Sequence, residues 1–401
     1  MPATTDSSAP PAGIAALAER YDPDVIDVPH GRGVVRLRAP DQGDWDARLS
    51  DSELQLAPAR EVDDPDAVIT ADSATWGRIA KDVRGGMRAF QSGDLRMRGS
   101  LHLGVGFLAA TTGSDEPGRL AFETLRTRGG RVSIVSAGTA SQTLLCLHGL
   151  GGTKASFLPT VAALAKDHRV VAMDLPGFGE SDKPIGAAYD SAWFARTVFD
   201  TLDALELDRA TLVGNSMGGR IAIEAGLTGR DRVEGLVLLS PALAWLRDRR
   251  WAPLVRLMRP ELGLLQVTPR PLVEAALRRL LGVAPDGWAA AGVDEFVRSY
   301  LSPRGRAAFY ASARNIYLDE PHGNDGFWTR LAELAPESLF VWGLHDTLVP
   351  VGFRRHVEKA LPQARHVELD CGHVELDCGH VPQLERPRET HAAIRDFLRR
   401  T

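Results

Sequence analysis

Two kinds of hydrophobic patterning follow one another along this chain. From about residue 15 to 112, alternating positions in Gly33-Val34-Val35-Arg36-Leu37-Arg38 and Leu54-Gln55-Leu56 predict strands with one buried face. Ala67-Val68-Ile69-Thr70 then leads into a helical stretch around Trp76, Ile79 and Val83, with Asp72 or Ser73 as its N-cap. Glycine punctuation carries the chain through Phe90-Gln91-Ser92-Gly93-Asp94-Leu95 to Met97, Leu101 and Leu103. Strands followed by helix and a further strand read as a small α+β domain.

Beyond a short polar connection, Thr112 to Gly118, the pattern changes. Short, continuously apolar runs now alternate with helical stretches, as in a mostly parallel sheet covered by helices. The strands read at 119–125, 131–136, 143–147, 169–173, 210–214, 235–239, 338–342 and 365–370, with an opening hairpin at Gly129-Gly130. The stretch 243–336 is too long for a plain connection. It holds helical patterns around Leu254-Val255-Leu257-Met258, Leu272-Val273-Ala276-Leu277-Leu280 and Phe296-Val297-Tyr300-Leu301. The expected organisation is a disordered tail 1–14, an α+β domain 15–112, a linker 113–118, and an α/β domain 119–401 whose cap spans about 243–336.

Composition narrows the class. The 401 residues exceed one ordinary core, and 44% hydrophobic with 25% charged residues is a globular balance. The longest apolar stretch, near Leu236 to Leu246, is broken by Ser240 and Pro241 and is too short to span a bilayer. Residues 1–13 lack the basic and apolar blocks of a signal peptide. Cys146, Cys371 and Cys378 make no disulfide framework, so a cytoplasmic location is expected. The net charge of −5 argues against a nucleic-acid partner. No cofactor is expected, and the oligomeric state is left open.

The candidate chemistry lies in four pieces of the second region. Ala210-Thr211-Leu212-Val213 runs into Gly214-Asn215-Ser216-Met217-Gly218-Gly219 and then a helical pattern. Strand, tight turn and helix with small residues two positions either side of a serine is the arrangement a nucleophile elbow needs, because its backbone leaves no room for larger side chains. Leu144-Leu145-Cys146-Leu147 ends in His148-Gly149-Leu150-Gly151-Gly152, where glycines free main-chain N–H groups to face a cleft. The N–H groups of Leu150 and Met217 are the candidate oxyanion donors; His148 precedes that turn and is read as structural. A third strand, Leu339 to Trp342, is followed by Asp346 on the side of the sheet where such folds place their sites. Asp174 also ends a strand but is read as a turn residue.

The histidine is ambiguous. Residues 366–372, His-Val-Glu-Leu-Asp-Cys-Gly, are repeated without change at 373–379, producing Gly372-His373 and Gly379-His380. Only His380 continues into Val381-Pro382-Gln383-Leu384 and the final helical pattern. That downstream context favours His380 as the base; His373, with its shorter spacing from Asp346, is the alternative.

The order Ser216, Asp346, His380, with the elbow and the His148-Gly149 turn, resembles the α/β-hydrolase superfamily over roughly residues 118–401. The resemblance implies a Ser-His-Asp triad, an acyl-enzyme, no metal, and a helical cap that shapes the substrate pocket. Residues Asp66 to Trp76 and Ala89 to Leu101 resemble the sterol-carrier-protein type 2 domain, which implies a non-catalytic module with an apolar tunnel for acyl chains or sterols. The fold without a lipid-sized cavity fits those residues equally well. Together these imply hydrolysis of an apolar or lipid-like carboxylic ester.

Two other readings stay open. Gly-Asn-Ser-Met-Gly-Gly recurs among carbon–carbon bond hydrolases of ring-cleavage products, although these tend to carry tryptophan after the catalytic histidine, where this chain has Val381 or Val374. A non-catalytic lipid-binding protein is the alternative of a different class. The cap's start, Trp245-Leu246-Arg247-Asp248-Arg249-Arg250-Trp251, mixes tryptophan and arginine as an interfacial helix does, which suggests transient membrane-surface contact; a solvated helix face has the same letters.

Overall fold

The computed structural model describes residues 9–60, 64–81, 89–90, 92–111, 118–244, 252–266, 269–281, 287–369 and 380–400. The N-terminal tail 1–8, Val83, most of the linker, Trp245 to Trp251, His373, Cys371 and Cys378 lie outside the described residues. The chain divides into two compact units, one of residues 1–123 with 284–298, the other of 124–283 with 299–401.

The first unit is built on a five-stranded sheet: β1 (Arg32–Ala39), β2 (Gly43–Ser50), β3 (Leu54–Pro58), β4 (Ala67–Thr70) and β5 (Arg96–Gly99). Their order is β3-β2-β1-β4-β5, with β1 and β4 parallel and the other neighbours antiparallel. Val35, Leu37 and Ile69 alternate inward and are fully buried beside Trp76 and Phe107. β2 has no counterpart in the sequence reading, although Trp45, Ala47 and Leu49 alternate inward along it and face Val35 and Leu37 across the pairing. Asp46 is buried and pairs in register with Arg36, whose guanidinium donates to both carboxylate oxygens at 2.8 and 3.1 Å. The expected helix spans Ser73–Lys81, and of the two candidate caps Asp72 serves, accepting from the Thr75 N–H at 2.7 Å. Met97 is on β5, whereas Leu101 and Leu103 belong to the buried helix Leu101–Ala110. Gly99, between them, has a φ of 82°, and a Cβ there would lie 2.4 Å from the Asp66 carbonyl oxygen.

Residues 284–298 fall inside the expected cap by position in the sequence, yet they group with this first unit. Asp294 and Glu295, both almost fully buried, explain the grouping. Asp294 takes two hydrogen bonds from Arg98, at 2.5 and 3.0 Å, and one from the Gly99 N–H at 3.1 Å. Glu295 accepts from the N–H of Leu101, one of the donors left open at the start of helix Leu101–Ala110.

The second unit carries an eight-stranded sheet: β6 (Ala121–Thr127), β7 (Gly130–Ala137), β8 (Thr143–Leu147), β9 (Arg169–Met173), β10 (Ala210–Asn215), β11 (Val233–Leu239), β12 (Glu337–Gly343) and β13 (Arg365–Leu369). The order is β13-β12-β11-β10-β8-β9-β7-β6. From β13 to β9 every pairing is parallel; β7 joins β9 antiparallel. The central strands are apolar on both faces, with Leu144 to Leu147, Val170 to Met173, Leu212 and Val213 all at 0% exposure, as strands buried on two sides require. All eight strands expected from the sequence are present, so the expected α/β-hydrolase architecture holds. Between β11 and β12 come the helices Ala252–Leu257, Pro260–Leu265, Arg270–Leu281, Pro303–Tyr317 and Phe327–Leu331. No helix among the described residues is long and apolar enough to cross a membrane.

Candidate active site

At the end of β10 the chain turns sharply through Ser216, with φ 52° and ψ −113°, into the helix Met217–Thr228. Such a conformation costs a non-glycine residue about 1–3 kcal/mol and persists only where the surroundings hold it. Here the Ser216 N–H donates to Leu239 at 3.0 Å, and its carbonyl accepts from Arg220 and Ala242 at 3.1 and 2.8 Å. The two flanking glycines are a matter of space: a Cβ on Gly214 would lie 2.4 Å from the Gly218 oxygen, and one on Gly218 would lie 2.0 Å from the Leu147 oxygen.

Three side chains from distant parts of the sequence meet at this turn. His380 Nε2 is 2.7 Å from Ser216 Oγ, and His380 Nδ1 is 2.8 Å from Asp346 Oδ2. With a carboxylate at Nδ1, the hydrogen sits there and leaves Nε2 to accept from the serine hydroxyl. Asp346 is oriented by its other oxygen, which accepts from the N–H groups of Leu348 and Val349, each at 2.8 Å. All three residues are buried. His380, one of the two candidate histidines, thus reaches the serine; the other, His373, lies outside the described residues.

Gly149 passes close to the same serine, since a Cβ there would stand 3.3 Å from Ser216 Cβ. Gly151 in this turn has a φ of 75°. Half-buried Leu150 follows Gly149, and Met217 opens its helix, so the Met217 N–H has no partner inside that helix. His148 is engaged elsewhere, its Nε2 accepting from the Leu175 N–H at 3.0 Å and its Nδ1 donating to the Gly149 carbonyl at 2.8 Å. Burial lowers its pKa and keeps it neutral. Asp174 is likewise structural: buried Lys154 sits on it at 2.7 Å, and the N–H groups of Lys154 and Glu180 donate to it. Burial opposes its ionisation, but Lys154, His148 and these hydrogen bonds outweigh it and hold the carboxyl down at about 2.

Two residues at the site escaped the sequence reading. The Asn215 side-chain amide donates to the main-chain carbonyls of Leu239 and His380, at 3.0 and 2.9 Å. Its place beside the serine was the available signal. Tyr317, half-buried at the end of helix Pro303–Tyr317, brings its phenol to the Ser216 side chain. Burial pushes that phenol's pKa up, the contact with Ser216 opposes the rise, and Asp346 adds to it, so it stays protonated. Nothing in the weakly patterned, alanine-rich cap sequence marks it. Among the described residues no cluster of histidine, cysteine or carboxylate side chains could hold a metal ion.

Sheet order, strained serine turn and the meeting of Ser216, His380 and Asp346 are those of one large class of enzymes, and comparison with known proteins agrees. Residues 142–387 match the alpha/beta hydrolase fold family, to which this chain belongs, and residues 19–109 match the SCP-2 sterol transfer family. Both resemblances seen in the sequence are thereby borne out. A 2-hydroxy-6-oxononadienedioate/2-hydroxy-6-oxononatrienedioate hydrolase from Burkholderia vietnamiensis is 30% identical over 278 residues, covering 67% of this chain and 91% of that enzyme. One with the same name from Paraburkholderia phymatum is 31% identical over 250 residues, covering 60% of this chain and 84% of its own length. Among solved structures, the enol-lactonase from Burkholderia xenovorans superposes with a TM-score of 0.55 at 22% identity, over 69% of this chain and 99% of that one.

Proposed function

We propose that the protein is a serine hydrolase of apolar carboxylic esters. The observation that carries this reading is the unbroken hydrogen-bonded line from Ser216 Oγ through the His380 imidazole to Asp346. In the proposed reaction His380 Nε2 takes the Ser216 proton as Oγ attacks the ester carbonyl carbon. Asp346 holds the Nδ1 hydrogen and stabilises the imidazolium without accepting the proton. The N–H groups of Leu150 and Met217 stabilise the oxyanion. His380 then protonates the departing alcohol, and a water activated by the same imidazole releases the acid and restores the serine. The fused sterol-transfer-family domain supports a lipid-like acyl group, which half-buried Tyr317 beside the serine would help to position.

A second reading has one specific support. The relatives at 30 and 31% identity are named for hydrolysis of a ring-cleavage product, a carbon–carbon bond reaction. The test is a panel of p-nitrophenyl esters from acetate to palmitate beside a 2-hydroxy-6-oxo-dienoate, with wild type and Ser216→Ala. Serine-dependent turnover that rises with acyl length supports the ester reading. Cleavage of the dienoate with no ester turnover replaces it with the second. Tight retention of a lipid with neither activity would make the protein a binder.

A further inference from the structure

The helices between β11 and β12 show a surface unlike the rest of the molecule. Leu257, Leu262, Leu265 and Leu272 are 69, 51, 79 and 64% exposed, and among the described residues the other large exposed aliphatics are Ile185 and Leu344. Water-facing leucines of this density are unusual in a soluble surface and mark a contact. They are not the product of a loose segment. Helix Pro260–Leu265 is seated through Gly263, where a Cβ would meet the Ala307 backbone at 2.9 Å, and Arg306 Nε donates to the Gly263 carbonyl at 2.8 Å. With Gly263 facing inward, Leu262 and Leu265, three residues apart, share the outward side.

Charge identifies the partner. Among the described residues this face carries Arg256, Arg259 and Arg270 against Glu261 and Glu274, and Arg314 adds a fourth guanidinium that donates to the Arg256 carbonyl at 3.2 Å. Arg256, Arg259 and Arg270 are exposed beside the exposed leucines. A second copy docked symmetrically on this face would set the two basic surfaces against each other. Leucines that enter an apolar layer while arginines remain at an anionic one match a bilayer containing acidic lipid.

We propose that the face formed by helices Ala252–Leu257, Pro260–Leu265 and the start of Arg270–Leu281 docks on an anionic membrane surface. Helix Pro303–Tyr317 connects this face to the site, since Gly263 rests on it and its last residue is Tyr317 beside Ser216. An acyl compound leaving the bilayer would thus meet the enzyme on the side that leads to its serine. The docking itself does not depend on which bond the site cleaves.

The test uses the full chain carrying Ser216→Ala, so that no lipid is consumed, in sedimentation with vesicles of phosphatidylcholine or of phosphatidylcholine with 30% phosphatidylglycerol. Binding is expected to the anionic vesicles and to fall with salt. Arg256→Gln with Arg259→Gln should weaken partition roughly twenty-five-fold, from roughly fivefold per arginine at such a surface. Leu257→Ser with Leu265→Ser should weaken it at least tenfold at every salt concentration, and Ile185→Ser should leave it unchanged. Equal binding to both vesicle types, no binding to either, or binding indifferent to both double variants would overturn the proposal. Self-association abolished by the leucine variants, without vesicle binding, would assign the face to a second copy instead. Because all these positions are exposed, unchanged thermal melting is expected and is checked first.

Discussion

The side chain of Asn215 holds the main chain of His380: its amide donates to the His380 carbonyl at 2.9 Å while also donating to Leu239 at 3.0 Å. The residue next to the serine therefore fixes the backbone that delivers the imidazole to that serine. Asn215→Ala should leave the His380 carbonyl without this donor, while Leu239 keeps the Ser216 N–H, and cost about 1–3 kcal/mol. The slackened imidazole should lower kcat about 10- to 100-fold with little change in KM. Urea denaturation and steady-state kinetics check the two parts separately; unchanged kcat would remove Asn215 from the positioning role.

The glycines divide into those that need their space and those that do not. Gly218→Ala would push a methyl to 2.0 Å from the Leu147 oxygen, backbone against backbone, and should cost about 3 kcal/mol or more or prevent folding. Gly77→Ala, inside helix Ser73–Lys81 with nothing near its Cβ, should instead stabilise by up to about 1 kcal/mol. Thermal melting of the two variants should move in opposite directions.

Removing one copy of the heptad gives the same sequence whichever copy is cut. β13 keeps its His-Val-Glu-Leu run, and the histidine keeps the Val-Pro-Gln-Leu that follows His380. The single-copy protein should retain turnover within a few-fold of the parent, because shortening a chain connection by one heptad changes closure entropy little. A folded but inactive product would mean that the added residues are needed for the imidazole to reach Ser216.

His391 is buried, with Nε2 3.1 Å from Thr160 Oγ1; burial, helped by Arg395, lowers its pKa to about 4. Between pH 4 and 6.5 the unfolded chain therefore binds the proton that the folded chain refuses. Stability from this group is complete above pH 6.5 and is lost as pH falls toward 4. On going from pH 7.5 to 4.5 wild type should lose roughly 2–3 kcal/mol more than His391→Gln, which keeps a hydrogen-bonding side chain without titrating. Equal losses by urea denaturation at the two pH values would contradict the assignment.

What could be read from the letters follows physical lines. The parallel strands were legible because burial on both faces makes continuous apolar runs, and the serine turn because its backbone crowding forces glycine at two fixed positions. β2 carries the same alternation as β1, Trp45, Ala47 and Leu49 against Asp44, Asp46 and Arg48; what its letters do not record is the burial of Asp46, which depends on its in-register partner Arg36. Tyr317 and the Lys154–Asp174 pair were invisible for a related reason: their significance lies in partners brought together by the fold, which no local pattern records. Downstream context favours His380 as the base, and its 2.7 Å approach to Ser216 rests on a fold that brings residues 164 positions apart together.

The return of residues 284–298 to the first unit has a consequence for how the molecule is made. Ribosomal synthesis at 5–20 residues per second places roughly 10–40 seconds between the emergence of helix Leu101–Ala110 and that of Asp294 and Glu295. Through that interval the N–H groups of Gly99 and Leu101 lack the carboxylates that receive them in the finished protein. The N-terminal unit, although first off the ribosome, is therefore not the first to be finished: its last pieces arrive only after β6 to β11 of the second unit have been translated.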